Sequence, residues 1–98
     1  MKFEEVLPAL RDGARIVNSS LSADRAFIVR QVPAVIPKDV VPKMTSLPDN
    51  AKQSMSEGPI EFVDQALVVR WDNSQARHIA TSWVPTIHDL FREDWTIA

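Results

Sequence analysis

The sequence has 98 residues, 45% of them hydrophobic and 24% charged, with a net charge of −2 and no cysteine. That length fits a single domain over residues 1–98, and the missing thiols exclude disulfides, thiolate zinc sites and cysteine nucleophiles. A net negative charge gives no global field for duplex nucleic acid, Glu4 and Glu5 stand where a secretory signal would be apolar, and no window approaches the ~18 apolar residues of a membrane span, so the expectation is a cytoplasmic protein with neither duplex nucleic acid nor membrane as partner.

Phe3, Val6, Leu7 and Leu10 recur at helical spacing and predict one apolar face of a short helix that starts near Glu4 or Glu5 and ends before Gly13. Pro8 is tolerated close to the first turn, the two glutamates suit the positive helix end, and Gly13 suits a left-handed cap. Residues 14–17 read as a short strand, and residues 18–24 as a turn rich in small polar side chains. Residues 26–32 (AFIVRQV) read as the first long strand. Phe27 and Val29 then point to one face and Ile28 to the other, so the face not covered by the helix also carries apolar residues, which is the signature of a partner subunit.

Residues 33–59 form an excursion in which Pro33, Pro37, Pro42, Pro48 and Pro59 exclude a central strand. Val35, Ile36, Val40, Val41, Met44 and Leu47 give it apolar docking residues, and residues 49–56 read as a helix following Pro48. Residues 60–71 are β-rich, and Asp72-Asn73-Ser74 supplies the turn of a hairpin returning over residues 76–81. Thr86 and Asp89 have the spacing of a helix cap, Leu90 and Phe91 follow as residues expected to face the core, and residues 95–97 close the chain as a short strand. The fold class is α+β: a small antiparallel sheet of about four to five strands with a short N-terminal and a short C-terminal helix.

The order of these pieces, with an opening Phe3-x-x-Val6-Leu7-x-x-Leu10-x-x-Gly13 and an ending Trp83-Val84-Pro85-Thr86-x-x-Asp89-Leu90-x-x-x-Asp94-Trp95, resembles the second Thoeris anti-defence family of phage proteins over nearly the whole chain. The resemblance implies a sponge: a homo-oligomer, dimers pairing into homotetramers, whose pockets between subunits sequester cyclic ADP-ribose isomers, and in some relatives cyclic dinucleotides, without cleaving them and without a cofactor. It implies ligand contacts at Asn18, Leu21, Ser22 and Arg25 in the turn before the long strand, and at Trp83, Pro85, Thr86 and Asp89 near the C-terminus. Arg25 is the preferred phosphate partner, because a guanidinium offers paired donors to phosphate oxygens. Typical members carry a Gly-Trp-Asn-like run in the first of these turns, where this chain has Ser20-Leu21-Ser22. A leucine offers no flat surface to a base, and aromatic stacking is worth about 1–3 kcal/mol per base.

The same residues have plainer readings. Thr86 and Asp89 serve as a helix cap, Trp83 and Trp95 as core or interface anchors, and Asn18, Leu21, Ser22 and Arg25 as a solvated turn. His78 and His88 lack a third ligand at metal-binding spacing, Asp64 and Asp72 read as solvent-exposed carboxylates, and two glycines without a Gly-rich loop exclude a P-loop-like phosphate cradle. The alternative to a sponge is a structural or protein-interaction module that keeps the fold without a nucleotide pocket. An enzyme hydrolysing a cyclic nucleotide is disfavoured by the lack of an acid, base or metal constellation.

Overall fold

In the computed structural model, which describes residues 1–98, helix α1 spans Phe3–Arg11 and closes as its sequence predicts. Gly13 adopts φ +100°, its N–H donates to the Leu10 carbonyl at 3.1 Å, and the Ala14 N–H donates to the Ala9 carbonyl at 2.9 Å. These paired bonds satisfy carbonyls that a helix end leaves orphaned, and the positive φ they demand is strained for any residue with a Cβ. The helix begins slightly earlier than expected: the Lys2 N–H donates to Glu5 Oε1 at 2.8 Å, so Pro8 lies inside the helix and denies the Glu4 carbonyl its usual donor. Glu4 is exposed, so water can serve that carbonyl instead. The buried stripe is Val6 and Leu10 with half-buried Phe3, while Leu7 falls on its shoulder and stays 47% exposed, against the expectation that it would join the face.

The chain divides into two compact units, Met1–Gln31 with Gln65–Ala98, and Val32–Asp64. The first contains a five-stranded antiparallel sheet. Its strands are β1 (Ile16–Val17), β2 (Ala26–Gln31), β5 (Gln65–Asp72), β6 (Arg77–Ser82) and β7 (Thr96–Ile97), in the spatial order β6-β5-β2-β1-β7. The register places Ile16 opposite Ile28 and Ile28 opposite Val68, forming one apolar rung across neighbouring strands. Val6 and Leu10 of α1 pack on this rung together with Leu21, Ala26 and Trp95, and Phe3, Ala66 and Trp83 join at the edge. Val6, Ile16, Ile28 and Trp95 are fully buried, and each aliphatic side chain so removed from water contributes about 1.5–3 kcal/mol.

Residues 18–24, expected as a turn, instead form a short helix α2 (Ser19–Ala23), because Asn18 caps it and Leu21 anchors it in the core. The β5–β6 hairpin follows its turn chemistry: Asp72 Oδ1 accepts from the Ser74 N–H at 3.1 Å and from Ser74 Oγ at 2.7 Å, and Ala76 takes φ 49°. Helix α4 (Ile87–Phe91) follows Thr86. Leu90 and Phe91 do not face the core as expected, being 38% and 77% exposed, since the indole of Trp95 already fills the interior at this end.

The second unit carries strand β3 (Ala34–Ile36) paired antiparallel with β4 (Ile60–Phe62), a 3-10 turn at Val41–Lys43 and helix α3 (Asp49–Ser54). Residues 60–71, expected as one β-rich stretch, are therefore split: Ile60–Phe62 pair with β3 in a two-stranded ribbon, and the main-sheet strand begins at Gln65. Lys52 braces α3 to the 3-10 turn, its Nζ donating to the Pro42 carbonyl at 3.2 Å and the Met44 carbonyl at 2.8 Å while pairing with Asp49 Oδ1 at 3.0 Å. Val41 is buried beside this brace at 1% exposure.

Candidate functional site

The residues singled out in the sequence occupy distinct places. Asn18 is 4% exposed, and its Oδ1 accepts from the Leu21 N–H at 3.0 Å, satisfying one of the donors that a helix start leaves free. Leu21 points into the hydrophobic core. Ser22 is exposed and its N–H returns to the Asn18 carbonyl at 2.9 Å. Arg25 takes φ 54°, a conformation unfavourable for a side chain of its kind, and its guanidinium lies 5.3 Å from the centroid of the Trp71 ring.

At the other end of the chain, Thr86 and Asp89 form a reciprocal cap. The Asp89 N–H donates to Thr86 Oγ1 at 3.1 Å, while Asp89 Oδ2 accepts from the Thr86 N–H at 2.8 Å and from Thr86 Oγ1 at 3.0 Å. Pro85 is exposed just before this cap. Trp83 is half-buried, with its ring 5.9 Å from Phe3 and 6.0 Å from Trp95, and its backbone N–H donates to the Ala66 carbonyl at 2.9 Å. Trp95 is fully buried as an anchor, and its indole N–H donates to the Asp89 carbonyl at 2.9 Å. That carbonyl belongs to the last turn of α4, where no intrahelical donor reaches it.

A polar cluster that sequence reasoning missed ties these two stretches together. Arg92 grips Asp94 with Nε on Oδ1 at 2.8 Å and Nη2 on Oδ2 at 2.7 Å, and its donors also reach Ser20 Oγ at 3.2 Å and Ser19 Oγ at 3.4 Å. Asp94 Oδ2 in turn accepts from the Ser19 N–H at 3.2 Å and from Ser19 Oγ. Bonding to Arg92, then to Ser19, holds the Asp94 carboxyl far below the ordinary carboxylate range, and the same bond to Asp94 raises Arg92. The Asp94-Trp95 ending was the only sequence signal of this cluster, and nothing in the spacing of Ser19 and Ser20 pointed to it.

The sheet face opposite α1 is also chemically distinctive. Phe27 and Val29 stand opposite Val69 and Leu67, with Trp71 beyond them, and all are half-buried yet lie outside the core cluster. The expected second apolar face is therefore present on β2 and continues onto β5. Arg15 lies over Phe27 at 5.2 Å, as Arg25 does over Trp71, and His78 meets the Trp71 ring edge-on at 5.0 Å. A guanidinium over a ring face is attracted by the ring's quadrupole and retains N–H groups that can donate to an anion.

Two hollows lie elsewhere. One of about 370 Å³ sits between the start of α1 (Lys2, Phe3, Glu4) and the stretch Leu90 to Glu93; the other, of about 720 Å³, belongs to the second unit and is lined by Lys38, Asp39, Val41, Pro42 and Lys52 among others. Neither is lined by the ligand contacts that the sequence suggested, which within one chain are divided between the α2 turn, the second sheet face and the α4 cap. His78 and His88 join no group of three or more side chains able to hold a metal ion.

No helix of the chain is long and apolar enough to cross a membrane. No curated protein matches the chain. A family model does, over residues 1–98: the Tad2-like, Thoeris anti-defense 2-like domain. The N-terminal and C-terminal motifs, the five-stranded sheet and this full-length match make one identification: the chain belongs to the Thoeris anti-defense 2-like family, with a phage anti-defence role against Thoeris.

Proposed function

We propose that the protein is a sponge: it captures a cyclic nucleotide immune signal, a cyclic ADP-ribose isomer or a cyclic dinucleotide, and holds it intact in the cytoplasm of the infected bacterium. The full-length family match carries this reading. The arginines lying over Phe27 and Trp71 support it, since they offer guanidinium donors beside flat rings, the chemistry that a phosphorylated ligand with a base requires. In this reading Ser22, Arg25, Pro85 and Thr86 contact the ligand, whereas Asn18, Leu21 and Asp89 shape the segments that present them. The half-buried apolar residues on the second sheet face serve a homo-oligomer, and a neighbouring subunit completes the pocket and excludes water. No bond in the ligand is broken.

Titration calorimetry with cyclic ADP-ribose isomers and cyclic dinucleotides tests this directly. At least one compound binds tightly, the ligand is recovered unchanged after denaturation, and Arg25→Ala or Thr86→Ala abolishes capture without dissociating the oligomer. Failure of every compound to bind, product formation at sub-stoichiometric protein, or a stable 11.0 kDa monomer in solution would each defeat the reading. One observation favours a second reading, a structural or interaction module: Leu21 is committed to the core, so the α2 turn presents no aromatic surface. Under that reading the Arg25 and Thr86 variants change nothing that calorimetry detects.

A further inference from the structure

We infer that the Asp94-Trp95 dipeptide, clamped by Arg92, is the positioning element of the proposed ligand site, setting α2 with one residue and α4 with the next. The inference rests on the sponge reading for its functional consequence, but its structural content stands on geometry alone. Helices α2 and α4 are 5 residues each, far below the length at which a helix holds itself in water. Each depends on outside bonds. Asn18 caps the Leu21 amide, and Asp94, 75 positions away, accepts from the Ser19 amide at 3.2 Å and from the Ser19 hydroxyl. At the adjacent residue the chain turns inward: Trp95 is fully buried, its ring lies 5.4 Å from Phe3, and its indole N–H holds the Asp89 carbonyl at 2.9 Å.

The Arg92 fork fixes the orientation of the Asp94 carboxylate, since two parallel N–H···O bonds at 2.8 and 2.7 Å leave it no freedom to rotate. The Arg92 and Asp94 side chains are 17% and 38% exposed, so the fork is partly shielded from solvent and keeps its geometry. Arg25 leaves the C-terminal end of α2, and Thr86 opens α4. Both presenting segments therefore hang from one dipeptide, and Arg92, its fork occupied by Asp94, is a positioning residue with no part in phosphate binding.

The full chain carrying Asp94→Asn or Arg92→Lys tests this in two arms. Without ligand, the amide resonances of Ser19 to Ala23 in a 15N-labelled sample shift and broaden in both variants, while those of α4 hold because Trp95 is intact; Trp95→Phe gives the reverse pattern. With the cyclic nucleotide that the wild type captures, both variants bind about tenfold more weakly while remaining folded by circular dichroism. Unperturbed α2 amides, or an Arg92→Lys protein that captures ligand like the wild type, would overturn the assignment. Should the wild type capture no cyclic nucleotide, the sponge reading and with it the ligand-site role fail, whereas the ligand-free arm separately decides whether the dipeptide holds the two helices.

Discussion

Replacing Trp95 by phenylalanine isolates the indole N–H from the ring that carries it. The side chain is fully buried, its donor serves the Asp89 carbonyl at 2.9 Å, and its ring packs edge-on against Phe3 and Trp83 at 5.4 and 6.0 Å. Phenylalanine keeps an aromatic ring in place but deletes the donor and part of the volume. Leaving a carbonyl unpaired costs about 1–3 kcal/mol, and the smaller ring adds a cavity term in the same direction. A loss of about 2 kcal/mol lowers the Tm of a domain this size by about 8–16 °C. Differential scanning calorimetry at one protein concentration measures this, the concentration being held because subunit association itself raises apparent stability. Trp83→Phe is the matched control: Trp83 is only half-buried, so its substitution costs less. A Trp95→Phe protein melting within two or three degrees of the wild type, or a larger effect at Trp83, would refute the view that Trp95 secures α4 through its N–H.

Leu21→Trp, which restores an indole to the α2 turn, destabilises by about 1–3 kcal/mol in urea titration, because the side chain enters a filled core; tighter nucleotide capture at unchanged stability would contradict this. Asn18→Ala removes a buried cap and lowers stability by about 1 kcal/mol, and an unchanged urea midpoint would show that α2 needs no cap. Asp94 has a folded-state pKa below its unfolded value, so its contribution is fully present above about pH 3.9 and drains away as the pH falls further. The wild type accordingly loses more stability on acidification below that pH than Asp94→Asn does, and parallel stability-against-pH curves for the two proteins would exclude the bond network as the source.

Much of the local architecture was legible in the residue order. Gly13 announced the end of α1, Thr86 and Asp89 announced the start of α4, and Asp72 to Ser74 announced the hairpin. Each of these signals acts over a few residues, where backbone chemistry decides. The α2 helix escaped notice because Asn18 to Ala23 has the composition of a turn, and only the burial of Leu21 makes a helix of it. Leu90, Phe91 and Trp95 all read as core candidates in the sequence, and packing gave the interior position to Trp95 alone. Of the candidate site, the residue types were legible and their arrangement was not: Arg25 lies over Trp71, while Thr86 and Asp89 complete each other.

Caps, turns, the alternation that leaves two apolar sheet faces and the motifs of an anti-defence family all lie in the residue order. Which serine meets Asp94, which carbonyl receives the Trp95 indole and which ring lies beneath Arg25 follow from the packed fold. The strand order β6-β5-β2-β1-β7 is the physical reason: it brings the last strand beside the first, so residues from opposite ends of the chain share bonds that no short-range pattern encodes.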